Sequence, residues 1–277
     1  MTPARAGAPV PILAYHSIGD QPRDGTMRWS VSAGDLDEQM AMIAERGRHA
    51  LTVAQYAAAL RGEAALPHDP VLVTFDDGFA DLATTALPVL ERYRVVATAF
   101  VISGRVGTRT ADAGPALSWE QLHDLRAYGV QIGSHGHSHR ALDCLPPPEV
   151  EREVRSSKRL LEEGLDEEVV SFAYPYGYLS SWVRHAVRAA GYSSACGVKN
   201  ALSHEDDDPF ALARVLVERD TGAARIARLL DGAGAPLSWS GERLRTRGWR
   251  AYRRARHLLD DRVRRRTGAP STEGRTP

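Results

Sequence analysis

Cysteine is nearly missing from this chain: Cys144 and Cys196 are the only two in 277 residues. Two isolated thiols with no CxxC spacing exclude a disulfide framework and a thiolate metal site, so both are expected to be free and buried. Long apolar runs are missing as well. Nothing approaches the roughly 18 consecutive apolar residues of a membrane span. The opening MTPARAGAPVPILAY holds no apolar stretch long enough for a secretion leader, and the expected compartment is the cytoplasm. Net charge is absent too, 35 basic residues balancing 35 acidic ones. Without an overall field, no nucleic-acid partner is expected.

What is present is a globular composition, 43% hydrophobic and 25% charged, enough for a sizeable core. Short β-like runs alternate with helix-like segments: PILAYH (11–16), RHALTV (48–53), VLVTFDD (71–77), VVATAFVIS (95–103), VQIGSH (130–135), VVSFAYP (169–175), YSSACGV (192–198) and ARVLVERD (213–220). Between them, Leu36, Met40 and Ile43 recur at helical spacing behind Asp35 as the cap candidate. Ser118, Gln121 and a closing Gly129 delimit a second helix, and PPPEVEREVRSSKRLLEEG a third that ends on Gly164. The alternation predicts a parallel α/β fold, either a closed or nearly closed barrel or a doubly wound open sheet. GAGAPLS, near residue 232, breaks the pattern.

In a parallel α/β fold the strand C-termini share one face, so polar groups far apart in sequence converge there. Four clusters follow strand-like runs: Tyr15-His16, Asp76-Asp77, His135 to His139, and Tyr174 to Gly177. The acidic pair poses the sharpest question, because adjacent carboxylates repel where a buried run ends. A solvated Asp-Gly turn would tolerate them; so would a bound cation. The string GSHGHSH offers ligands for one. His135 and His139 share a side if the chain turns helically, whereas an extended chain aligns His135, His137 and His139. Imidazole with carboxylate suits zinc, and also nickel, cobalt or iron. One aspartate can then ligate while its neighbour accepts a proton, Gly78 bending the backbone so that both address one site.

VTFDDG, GSHGHSH and FAYPYG, in that order, resemble the motifs of the NodB-type polysaccharide deacetylases, carbohydrate esterases that remove N-acetyl or O-acetyl groups from glycans. PILAYHSIG is similar to the opening strand of the branch acting on N-acetylglucosamine-type exopolysaccharides. The resemblance implies a distorted (β/α) barrel of about seven strands over residues 9–232, one divalent metal, zinc by preference, and an acetylated carbohydrate substrate. It implies Asp77, His135 and His139 as metal ligands and Asp76 as general base. It implies that the backbone N–H of Tyr176 steadies the oxyanion, and it leaves His137 outside the ligand set.

Two departures from the family pattern matter. Ala173 stands where many members carry an arginine paired with the catalytic aspartate, and Arg214 is the candidate replacement. Arg214 is also expected, with Tyr174 and Pro175, among the substrate-binding residues. The late leucine-x-histidine motif that usually brings the general acid is missing from ALARVLV. His16 is the candidate acid, because the first and last strands of a closed barrel adjoin. Tyr15, Trp119, Tyr174 and Trp182 are candidate stacking faces for a sugar.

Two other readings compete. A non-catalytic glycan-binding barrel would explain the departures, but has no need of a paired base beside a metal. A metal amidohydrolase would carry its HxH on the first strand and commonly a bridging lysine, whereas lysine occurs here only at 158 and 199. Residues 233–277 form the expected second region. From Gly241 it is arginine-rich, and Trp249, Tyr252, Arg256, Leu259 and Val263 predict a basic amphipathic helix ahead of a disordered end. Such a helix suits a membrane surface, a protein partner or the barrel itself.

Overall fold

The computed structural model describes residues 8–20, 27–110, 114–240, 248, 249, 252, 253 and 256. Its main sheet is parallel and contains β1 (Ile12–Tyr15), β2 (His49–Leu51), β3 (Pro70–Phe75), β4 (Thr98–Val101), β5 (Gln131–Ser134), β6 (Ser171–Ala173), β7 (Ser194–Cys196) and β8 (Val215–Leu216). Each strand-like run of the sequence supplies one of them. Seven follow the order β7-β6-β5-β4-β3-β1-β8, and β2 pairs with β3 beside them. The ends of this path approach each other. Leu212, just ahead of β8, bridges Cys196 of β7, and its carbonyl accepts the N–H of Gly197 at 2.9 Å. The sheet is therefore a distorted (β/α) barrel, not the open doubly wound alternative, and its first strand lies directly beside its last.

The helices are α1 (Ala33–Glu45), α2 (Val53–Leu60), α3 (Leu87–Tyr93), α4 (Trp119–Tyr128), α5 (Pro147–Leu165), α6 (Ser181–Ala189) and α7 (Ala223–Leu230). Strand alternation sorts the side chains between two cores. Leu13, Tyr15, Val71, Val73 and Phe75 belong to the large cluster shared with helix residues such as Leu36, Met40 and Ile43. Ile12, Leu72, Phe100, Ala173, Cys196 and Leu212 form a smaller cluster with Val53 and Tyr56 of α2. In β3 the partition follows residue parity, so Thr74 and Asp76 fall on the side of Leu72, in the barrel interior.

Local signals mostly end the elements where the sequence places them. Ser118 and Gln121 form a reciprocal capping box on α4, and Gly129 stops it at φ 110°. Two boundaries differ. The cap of α1 is Ser32, whose side chain accepts the Asp35 N–H, so Asp35 lies in the first turn, where its charge favours the helix dipole. Helix α5 runs past Gly164 to a left-handed stop at Asp166. Gly164 is needed for packing, because a Cβ there would lie 2.2 Å from the Trp119 ring.

The glycines near residue 232 turn the chain without releasing it from the barrel. Leu237 bridges Leu202, and Lys199 Nζ donates to the Trp239 carbonyl at 3.1 Å. Of the expected basic helix, Leu259 and Val263 lie outside the described residues. Among the described residues, no helix is long and apolar enough to cross a membrane.

Candidate active site

The acidic pair sits at the C-terminal end of β3, and backbone geometry explains how both carboxylates face one place. Alternation carries Asp76 inward and would send Asp77 outward. Asp77 instead adopts φ 70° and Gly78 φ 74°, two successive left-handed residues that turn the chain back over the barrel. A Cβ on Gly78 would also lie 3.1 Å from Val101 Cγ1. Left-handed backbone is uncommon for a non-glycine residue and persists only where its surroundings hold it. Three such residues, Asp77, His139 and Tyr176, meet here.

Asp76 is buried at 3% exposure, against a wholly buried Arg214. The guanidinium grips it at both oxygens, Nη1 to Oδ1 at 2.6 Å and Nη2 to Oδ2 at 2.7 Å. Arg214 also donates to Thr74 Oγ1 and the Gly197 carbonyl, each at 3.1 Å. Burial alone would raise the Asp76 pKa; the charge and hydrogen bonds of Arg214 override it and hold the carboxyl well below its usual range. Arg214 was also expected to touch substrate. Its side chain instead has no exposed surface, and its fork is engaged on Asp76.

Asp77, His135 and His139 form a separate cluster whose ligand-type atoms all lie within 4.8 Å of one another. Asp77 Oδ1 stands 3.6 Å from His135 Nε2 and 3.3 Å from His139 Nε2, and it is buried without a hydrogen-bond partner. Burial holds both imidazoles neutral, pushing His135 down to about 4 and His139 to about 3. His135 Nδ1 donates to the Ala173 carbonyl at 2.8 Å, which leaves the lone pair on Nε2, the nitrogen 3.6 Å from Asp77 Oδ1 and 3.8 Å from Asp76 Oδ2. An orphaned carboxylate oxygen facing two neutral ring nitrogens fits a cation. Ligand bonds of ~2.0–2.2 Å would separate such atoms by about 3.3 Å in a tetrahedral shell. His137 is directed elsewhere, with Nδ1 3.0 Å from Ser103 Oγ.

The loop between the two histidines depends on a residue the sequence did not single out. Glu153 of α5, only 9% exposed, accepts the N–H of His137 at 3.1 Å and of Ser138 at 2.9 Å. It thereby fixes the bend that returns His139, at φ 60°, to Asp77. Its only sequence signal is an acid on the apolar side of a helix, beside Val150 and Val154.

The other expected residues divide. His16 is half-buried at the end of β1, within electrostatic reach of Asp76 and His139, with Nδ1 unpartnered. Tyr176 is 41% exposed and its ring lies 4.6 Å from that of His139. The surrounding 3-10 turn takes its hydrogen bonds from Gly177 and Tyr178, so the Tyr176 N–H is not used by the turn. Tyr174 and Pro175 are buried, and the Tyr174 hydroxyl donates to the Phe210 carbonyl at 2.9 Å. Both are covered by the protein itself. Among the stacking candidates, Tyr15 is committed to Gln39 and Trp119 to Gly164; Trp182 alone is exposed.

Residues 63–195 match the polysaccharide deacetylase family. The Bacillus subtilis protein YxkH is 29% identical over 210 residues, 76% of this chain and 72% of its own. The poly-β-1,6-N-acetyl-D-glucosamine N-deacetylase of Staphylococcus aureus is 20% identical over 69% of each chain. The Streptococcus pyogenes deacetylase PplD, solved with acetate, shares the fold at a TM-score of 0.73 and 23% identity, over 83% of this chain and 99% of that one. Motif order, barrel and the match over residues 63–195 together identify a polysaccharide deacetylase domain of the NodB type in this chain.

Proposed function

We propose that this protein is a metal-dependent N-deacetylase of N-acetylglucosamine-containing glycans, with Asp77, His135 and His139 holding the ion. The observation that carries the reading is the contrast between two adjacent carboxylates. Arg214 holds one, while the other keeps an unpartnered oxygen 3.3 and 3.6 Å from neutral imidazole nitrogens. Zinc is the cation this ligand set suits best. The Staphylococcus relative supports the substrate class, and the opening strand PILAYHSIG supports the same branch.

Within that reading Asp76 accepts a proton from the attacking water. Arg214 keeps it ionised for the task, and by the same interaction makes it a weak base. When bound, the divalent cation offsets that weakness, drawing the pKa of water toward ~7 and polarising the acyl oxygen. The N–H of Tyr176 donates to the oxyanion as it develops. His16 delivers a proton to the departing nitrogen, so that water and amide become acetate and a free amine. A positioned acid is worth about 10²–10⁴-fold.

The test is acetate release from N-acetylglucosamine oligomers by chelator-treated protein, with and without added zinc. Release restored by zinc in the wild type but not in His135→Ala or Asp77→Asn supports the reading. Oligomer binding with no release under any metal would instead identify a glycan-binding barrel.

A further inference from the structure

The site does not end at Tyr176. From that ring, 4.6 Å from His139, the next aromatic outward is Tyr178, with centroids 6.2 Å apart. Beyond it the C-terminal extension arrives. Trp249 Nε1 donates to the Tyr178 hydroxyl at 3.3 Å, and Trp249 stacks on Tyr252 with ring centroids 5.3 Å apart. Trp249 and Tyr252 are 44% and 54% exposed. Four aromatic rings thus run outward from the ligand cluster, the half-buried Tyr178 linking the exposed Tyr176 to the exposed pair of the extension.

Arg253 fastens the second pair in place. Its guanidinium donates to both oxygens of the buried Asp143, at 3.0 and 2.6 Å, and lies over the Tyr178 ring at 3.6 Å. Asp143 is only four residues beyond His139, so the anchor of the extension adjoins the loop that carries a ligand. A residue given only to membrane attraction would point its charge away from the barrel; Arg253 points inward.

We propose that Trp249 and Tyr252 form a distal sugar subsite, continuing the aromatic floor begun by Tyr176 so that a glycan chain lies along it. The proposal rests on the deacetylase reading for the position of the acetylated sugar. Its occupant is a neighbouring sugar of the same chain. Pyranose rings bring apolar C–H faces to exposed aromatic rings and hydroxyls to their polar edges, the surface that tyrosine and tryptophan offer together. The continuity of this floor with the ligand cluster favours a glycan over a lipid bilayer, which would need no connection to His139.

Deacetylation of N-acetylglucosamine dimers and pentamers by the full chain tests this, with Trp249→Ala and Tyr252→Ala compared against wild type. The ratio of kcat/KM for pentamer over dimer is expected to fall roughly three- to tenfold in each variant, the size of one lost aromatic contact. An unchanged ratio overturns the proposal. Binding is read separately from turnover, through quenching of tryptophan fluorescence by pentamer in wild type and in Trp249→Phe. Quenching that depends on Trp249 supports the subsite even if no acetate is released, a result that would sink the deacetylase reading alone. A response of Trp249 to anionic phosphatidylserine vesicles and not to pentamer would overturn the subsite in favour of a membrane contact.

Discussion

Replacing Arg214 with methionine, which keeps much of its volume and none of its charge, is the most informative single change. The side chain is wholly buried, and Asp76, its partner through two hydrogen bonds of 2.6 and 2.7 Å, is 3% exposed. Breaking a buried pair from one side strands the other charge, at a cost of about 3–5 kcal/mol. For a domain of this size that cost lowers Tm by roughly 6–20 °C. The Gly197 carbonyl loses a donor as well.

The pH dependence has a definite sign. In the wild type the Asp76 pKa lies below its unfolded value of about 3.9, so its stabilising contribution is full above that pH and is lost as pH falls through the lower folded value. In Arg214→Met burial dominates and lifts the folded pKa above about 3.9. Ionised Asp76 then opposes folding at neutral pH, and the opposition fades as pH falls toward the raised value. The stability gap between the two metal-free proteins should therefore be widest near pH 7 and narrow in acid. Urea unfolding from pH 4 to pH 8 measures it. A variant within about 1 kcal/mol of wild type at pH 7, or a gap that widens in acid, would refute the argument.

Three further outcomes are expected. Asp76→Asn should retain metal by elemental analysis and lose about 10²–10⁴-fold in turnover, whereas Asp77→Asn should lose the metal itself. Glu153→Ala should weaken metal affinity by roughly 10–100-fold in a chelator competition, since the His137 and Ser138 N–H groups lose the carboxylate that shapes the ligand loop. In the metal-free protein, folded His135 and His139 resist protonation down to about 4 and 3, while their unfolded counterparts take up protons below about 6.5. Its stability should fall as pH drops through that window, as followed by thermal melts.

The sequence shows which residues gather at the strand ends more readily than it shows how they are held. Most of the strands are visible as apolar runs, because strands buried on both faces must be apolar along their length; β2, half-buried at all three residues, is the exception. Asp76, Asp77, His135 and His139 stand out because charge at the end of such a run is costly without a partner. The partner of Asp76 carries no local signal, and Arg214 becomes a candidate only through the arginine that the family pattern misses at Ala173. Arg214 lies 138 positions from Asp76 and reaches it only because the barrel brings β8 beside β1. Glu153 hides similarly, as one acid among several on α5. Tyr174 and Tyr15 show the opposite failure. An aromatic next to a motif looks like a stacking face until the fold buries its ring and satisfies its hydroxyl. Parity along a strand separates the two cases only once the neighbouring strands are known.

The charge balance at the centre separates hydrolysis from simple cation or glycan binding. Two free carboxylates beside two imidazoles would hold a divalent ion more tightly than one, and would leave the cluster neutral once it was filled. Arg214 cancels Asp76, so Asp77 alone would oppose a bound ion and the filled cluster would keep one positive charge. Burial prevents the imidazoles from adding to that charge, since both stay neutral well below pH 6. A residual positive charge next to an ionised carboxylate is what a reaction needs when it gathers negative charge on oxygen while giving up a proton. A barrel that only gripped sugar would have no use for the buried pair itself, since an apolar pair there would fold as well and leave the metal site stronger. The bidentate pair at Asp76 is thus the strongest structural argument against the non-catalytic alternative.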